Sequence, residues 1–399
     1  MIVRQNRWVA PSAALALAGT LIATLVGGLL SGCTEPPPPP PGCGAVAPFA
    51  LAIGGRANSP ALKLPPEVSA LMTESARARH RVVLVRVDGE PAVVHDEPFR
   101  TTAGNPQKER VDFDEYLGRL KAAMREKTRA AKGEADPFGA LTIAARATEP
   151  GDTVVLADSG LQTVAPLRFQ DDGGILLESE PAELVAYLTD ELEVLPDLSG
   201  RALLFVGLGN TAPPQPQINT RQRRNLIAIW TAIAEAAGAA CVRVFDDAGT
   251  AEVVPDVPAV TVVPVATGPP PPPPCGETVL ADNNGVGFVA DQATFKDPAA
   301  ADRTITAIAD AMRRGRQHAE LVGTTANVGP YPGQVDLSLK RAEAVKRVLV
   351  GAGIAESRIT TRGVGSRWPG YVPDRGPNST LLPGPAAANR KVIVHLSCG

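Results

Sequence analysis

Side chains able to do chemistry are few in this chain, and their spacing excludes several reactions. Asp158-Ser159-Gly160 sets a hydroxyl beside a carboxylate. A serine hydrolase would present that hydroxyl on a Gly-x-Ser-x-Gly turn, which the chain lacks. Val206-Gly-Leu-Gly-Asn210 is missing the third glycine of a dinucleotide-binding turn, so no nucleotide cofactor is expected. The four histidines, His80, His95, His318 and His395, are scattered, and no pair of cysteines has the Cys-x-x-Cys spacing of a zinc site. No metal and no cofactor are expected. Lysine plus arginine (39) nearly balances aspartate plus glutamate (42), a net charge of −3 that would not gather nucleic acid.

Cys33 is the one thiol whose setting implies a reaction. Arg4 and Arg7 are followed by an apolar stretch from Trp8 to Leu30, and no charge returns until Glu35. The stretch ends in Leu30-Ser31-Gly32-Cys33, which resembles a bacterial lipobox. There, small residues let a peptidase reach the scissile bond and the thiol takes a diacylglycerol, a palmitate-type anchor. Residues 1–32 are then a signal peptide and residues 33–42 a lipidated, proline-rich tether to a membrane in the cell envelope, the outer membrane if the cell has two. The competing reading is an uncleaved signal anchor, since the stretch is long enough to span a bilayer.

Two tracts of six prolines, Pro36–Pro41 and Pro269–Pro274, punctuate the rest. Each is a semi-rigid spacer of roughly 19 Å at about 3.1 Å per residue. They bracket domains expected at 43–268 and 275–399, with 269–274 as linker. Setting Cys33 aside leaves four cysteines in an oxidising compartment, for which three pairings exist. Cys43 opens the first domain and Cys241 lies in its last apolar run; Cys275 opens the second and Cys398 closes it. The expected pairs are therefore Cys43–Cys241 and Cys275–Cys398.

The first domain alternates short apolar runs with helical periodicity. Runs at 48–53, 82–87, 154–156, 202–206 and 241–245 fit buried parallel strands. Helices are expected over 66–79, 113–132, 136–148 and 219–237, the last with Leu226, Ile229, Trp230 and Ile233 on one face. The fold class is α/β, a doubly wound parallel sheet with helices on both faces. The order of elements resembles a von Willebrand factor A-like domain. That resemblance implies a metal site built on Asp-x-Ser-x-Ser after the first strand, but the corresponding loop is Gly55-Arg56-Ala57-Asn58-Ser59, so no divalent metal is expected.

In the second domain, strands are expected at 286–295, 318–324, 358–363 and 390–396, and helices at 301–314 and 337–350, the latter capped by Ser338 or Asp336. Leu321-Val-Gly323-Thr-Thr325, Leu337-Ser338-Leu-Lys-Arg341-Ala342, Gly363-Val-Gly365 and Asn389-Arg390-Lys391-Val392 resemble an OmpA-like, peptidoglycan-binding domain. The resemblance implies an α/β sandwich over about 110 residues, with a pocket for the diaminopimelate of a peptidoglycan stem peptide. It places the family's carboxylate-binding arginine at Arg341 and a loop asparagine at Gln334, with Thr325 and Ser338 beside them. The family's ammonium-binding aspartate falls on Ala326, a departure that weakens the expected binding.

Together these features predict a lipid-anchored envelope protein, a tether or scaffold and not an enzyme. One end would bind the wall, and the central domain would offer a surface to another envelope protein. Two alternatives stand beside it. The OmpA-like domain has become a protein-interaction module, the reading that Ala326 favours, or the central domain is a hydrolase.

Overall fold

The structure is a computed structural model that describes residues 42–61, 63–246, 252–265, 272–273 and 275–397. The lipobox Cys33 with the segment before it, the first proline tract and Cys398 lie outside the described residues. Among the described residues no helix is long and apolar enough to cross a membrane.

Residues 49–245 build a six-stranded sheet. Its strands are β1 (Phe49–Ile53), β2 (Arg81–Arg86), β3 (Ala92–Pro98), β4 (Thr153–Ala157), β5 (Ala202–Val206) and β6 (Cys241–Phe245), in the order β3-β2-β1-β4-β5-β6. All neighbours are parallel except β2 and β3. In β1 every residue is buried, and alternate side chains serve opposite cores. Phe49, Leu51 and Ile53 pack with α1 (Pro66–Arg77) and α2 (Pro106–Glu126), while Ala50 and Ala52 pack with α3 (Pro137–Arg146) and α5 (Thr220–Ala236). The apolar runs expected as parallel strands are thus parallel strands. The expectation missed β3, because it is an edge strand with a mostly half-exposed sequence, Ala-Val-Val-His-Asp-Glu-Pro. It also missed the short α4 (Pro181–Ala186), and it began α2 seven residues late. Asn105, whose side chain accepts from Lys108 N, caps that helix and Pro106 opens it.

Cys43 and Cys241 form a disulfide, with Cα atoms 5.6 Å apart, that joins the residues ahead of β1 to the first residue of edge strand β6.

Residues 276–397 build a four-stranded sheet. Its order is β7 (Gly276–Leu280), β10 (Val392–Ser397), β8 (His318–Gly323) and β9 (Ile359–Gly363). β10 runs antiparallel to both neighbours, and β8 and β9 are parallel. Ile305, Ile308 and Met312 of α6 (Pro298–Arg313) and Ala342, Val345 and Leu349 of α7 (Tyr331–Gly351) cover one face. A short α8 (Pro383–Asn389) interrupts the loop ahead of β10.

Two expectations need correction here. Residues 286–295 are not a strand: Gly285 turns the chain at φ 83°, and Val286 and Phe288 enter the core from a loop closed by a single bridge between Phe288 and Phe295. The first strand is instead β7, whose polar Gly-Glu-Thr-Val-Leu suits an edge. Neither Ser338 nor Asp336 caps α7, which starts a turn and a half earlier at Tyr331, with Pro332 in its first turn.

Candidate functional site

Two places in the fold could receive a ligand. The first is the crevice of the six-stranded sheet at the carboxyl ends of β1 and β4, where strand order reverses. It is filled from within. Arg56, 1 % exposed, donates from Nε to Asp158 Oδ2 at 3.1 Å and from Nη2 to Oδ1 at 2.7 Å; Asp158 is 0 % exposed. The same Nη2 reaches Ser159 Oγ at 2.9 Å, and Asp158 Oδ1 also accepts from Gly160 N. Gly54 makes room, since a Cβ there would stand 2.0 Å from Asp158 Oδ2. The carboxylate that could have held a cation holds a guanidinium. The Ser159 hydroxyl is bonded to that arginine and to its own loop, with no histidine among its partners. Among the described residues no group of three His, Cys, Asp or Glu side chains could hold a metal.

The second place is a cavity of about 400 Å³ in the C-terminal part, between the β8–α7 loop, the first turns of α7 and the loop 289–293. Arg341, Gln334, Thr325 and Ala326 all line it. Arg341 is 2 % exposed and lies against the Phe288 ring, its guanidinium carbon 5.2 Å from the centroid. Its Nε donates to Gln292 O at 3.0 Å and an Nη to Val289 O at 3.4 Å, and both hydrogen bonds end on neutral carbonyls. Burial, and then the nearby Arg390 charge, push the guanidinium down to about 10, still cationic at neutral pH. A desolvated guanidinium on an open cavity has the charge and fork geometry that suit a carboxylate.

Gln334 borders the cavity but spends its amide on structure. It donates to Asn327 Oδ1 and Gly329 O and accepts from Ser366 N, holding the β8–α7 loop. Thr325 is buried with Oγ1 lacking a hydrogen-bond partner. Ser338 is not among the residues lining the cavity: its hydroxyl donates to Val335 O and accepts from Gly365 N at 3.0 Å, tying α7 to the loop after β9. Ala326, 3 % exposed, offers a methyl group to the wall.

Among the charged residues at this cavity to which sequence reasoning gave no role, Arg390 and Glu183 pair with each other. Arg390 is set in place by its neighbour Asn389, whose amide bonds Val372 O and Asp374 Oδ2 and so pins the preceding loop. Glu183 comes from α4, beside the six-stranded sheet, and pairs with Arg390 across 207 residues of chain. No local spacing could have signalled that contact.

More charge lies between the two sheets. Lys296 Nζ is 2.6 Å from Glu180 and 3.5 Å from Asp282, and Arg221 makes a paired contact with buried Glu178. Asp282 is pushed up to about 6, chiefly by burial and further by Glu178 and Glu180, against the pull of Lys296 and Arg221. A raised carboxyl stabilises the fold fully below its unfolded value near 3.8, and that contribution is lost as pH rises through about 6. Asp282→Asn should therefore raise stability at pH 7 by about 2–3 kcal/mol, a gap that closes below pH ~4. Urea unfolding of both forms at pH 4, 5 and 7 checks this, and a pH-independent gap would refute it.

Residues 288–374 match the OmpA family. Solved structures similar to this chain include three envelope proteins. The periplasmic domain of Helicobacter pylori MotB is 19 % identical over 31 % of this chain and 77 % of that one, with a TM-score of 0.26. The peptidoglycan-associated lipoprotein of Burkholderia pseudomallei is 22 % identical over 28 % and 86 %, TM-score 0.23. The cell wall anchor of the type VI secretion system (T6SS) of Pseudomonas aeruginosa is 23 % identical over 31 % and 81 %, TM-score 0.26. No curated protein matches the chain. The von Willebrand resemblance of the first sheet has no counterpart among these findings. The part of the chain that carries the Arg341 cavity is an OmpA-like domain.

Proposed function

We propose that this is a lipid-anchored cell-envelope protein whose OmpA-like domain holds the wall by a peptidoglycan stem peptide. Arg341 receives a carboxylate of diaminopimelate. The observation that carries the reading is the buried Arg341 guanidinium, bonded to carbonyls at the wall of an open cavity in an OmpA family domain. Cys33 supplies the membrane end, and the six-stranded layer offers its outer surface to another envelope protein. The role is mechanical linkage and not catalysis.

Truncating a desolvated charge that meets an opposite charge costs about 2–5 kcal/mol, roughly 30-fold to several-thousand-fold in affinity. Arg341→Ala should therefore remove sacculus binding by the full chain in a pulldown, while Arg341→Lys keeps part of it. Equal retention of wild type and Arg341→Ala on sacculi would exclude this cavity as the wall contact. It would favour the second reading, a protein-interaction module, for which Ala326 in place of the family's acid is the supporting observation. For the anchor, mass spectrometry of membrane-extracted protein should show an acylated N-terminal Cys33, lost together with processing in Cys33→Ser. An intact Met1 terminus on the wild type would overturn it.

A further inference from the structure

The cavity has two guanidinium groups and, at the position where an acid is expected, the methyl of Ala326. A ligand end that carries both carboxylate and ammonium would find only exposed carboxylates for its ammonium if the OmpA-like domain stood alone. Three carboxylates border the cavity: Asp291 and Asp336 of the OmpA-like domain itself and Glu183 of α4. Asp336 is exposed and paired with Lys340 at 2.6 Å. Asp291 is exposed, so its field is screened by water. Glu183 differs from both. Its side chain is only 20 % exposed, Oε1 is bonded to Arg390, and Oε2 is buried without a hydrogen-bond partner. A buried carboxylate oxygen left unsatisfied is costly, and a donor in the cavity that turned the Glu183 carboxylate toward it would relieve that cost.

We infer that Glu183, reaching over from α4, supplies the acid that position 326 lacks and receives the ammonium of the diaminopimelate. The site is then composite. Arg341 and Arg390 of the OmpA-like domain hold the carboxylate, and the neighbouring layer provides the opposite charge. Such a site couples the two parts of the chain: wall ligand binds well only while α4 is docked on Arg390. The Lys296–Glu180 pair, three residues from Glu183, and the bonds from Asn378 to Glu191 and Asp190 O hold the segment around α4 against the OmpA-like domain. The inference rests on the reading of Arg341 given above.

The test uses the full chain in detergent and calorimetry with two probes. One is a muropeptide ending in meso-diaminopimelate. The other is its analogue in which the free amine of that residue is replaced by hydrogen. Wild type should prefer the amine-bearing probe. Glu183→Gln should weaken that probe at least tenfold and leave the analogue within about twofold, because the Lys296–Glu180 pair and the Asn378 bonds keep α4 docked and a neutral amide can still accept from Arg390, so that the loss falls on the ammonium contact. Adding Ala326→Asp to Glu183→Gln should restore the preference by returning an acid to the cavity.

Unchanged or tighter binding of the amine-bearing probe by Glu183→Gln would overturn the inference, the tighter result showing that Glu183 competes with the ligand for Arg390. Equal loss of both probes would also overturn it, assigning Glu183 a structural role alone. So would transfer of the selective loss to Asp291→Asn. In each of these cases Arg341→Ala still reports separately on the carboxylate contact. If wild type binds neither probe, the reading of Arg341 and this inference fall together.

Discussion

Arg56→Met should lower the unfolding free energy by about 3–5 kcal/mol, an effect as large as any single substitution in this chain is expected to have. The reason is what it leaves behind. Asp158 is wholly buried, and its two oxygens accept from the Arg56 guanidinium in a two-pronged contact. Removing the arginine strands a carboxylate at the centre of the six-stranded sheet, between the ends of β1 and β4. The pair as a whole is a different matter, because the desolvation of two charges consumes most of their attraction. The double variant Arg56→Met, Asp158→Asn should therefore recover most of the lost stability. Urea unfolding of the four forms gives the coupling directly. A loss below about 1 kcal/mol in the single variant, or no recovery in the double, would mean that the pair does not hold the crevice shut.

Opening the Cys43–Cys241 bridge should cost about 3–5 kcal/mol. The bridge spans 198 residues of chain that contain strands β1 to β5 and end on the first residue of β6, so its loss greatly enlarges the unfolded ensemble. Cys43 and Cys241 are both buried in the core shared by α1 and α2, so paired serines would add buried hydroxyls to the loss of the cross-link. Paired alanines are the cleaner variant. Thermal unfolding with and without reductant should show a much larger drop for wild type than for the alanine pair, in which only the expected Cys275–Cys398 bridge is left to reduce. Peptide mapping under non-reducing conditions should recover the Cys43–Cys241 link, and an unchanged midpoint after verified reduction would refute the stabilising role.

Much of the architecture was legible in the sequence because it depends on local spacing. The run at 202–206 matches β5 residue for residue, since a strand buried on both faces must be apolar throughout; the run at 241–245 matches edge strand β6, which is mostly half-buried and admits Arg243. Leu226, Ile229, Trp230 and Ile233 are buried on α5 as a helical period requires. The same logic misread residues 286–295. Val286 and Phe288 are buried there, but burial alone does not make a strand, and the polar β7 carries the ladder instead. Edge strands such as β3 and β7 escape a hydrophobic reading because one side of each needs no apolar cover.

The candidate site divides along the same line. Arg341 could be placed by its motif, and the structure does set it on the cavity. Ser338 belongs to the same motif, but only packing revealed that its hydroxyl ties α7 to the loop after β9. The sequence by itself determined the class of fold and the apolar strands through residue type and short-range period, the Cys43–Cys241 pairing through the proline tracts that bracket the domain, and the arginine at the cavity through its resemblance to the OmpA-like motif. Tertiary structure alone decided that Arg56 meets Asp158 across 102 residues and that Glu183 meets Arg390 across 207. Charge pairing acts through space, and neither helix nor strand periodicity carries any record of which distant side chain the folded chain will bring to a buried charge.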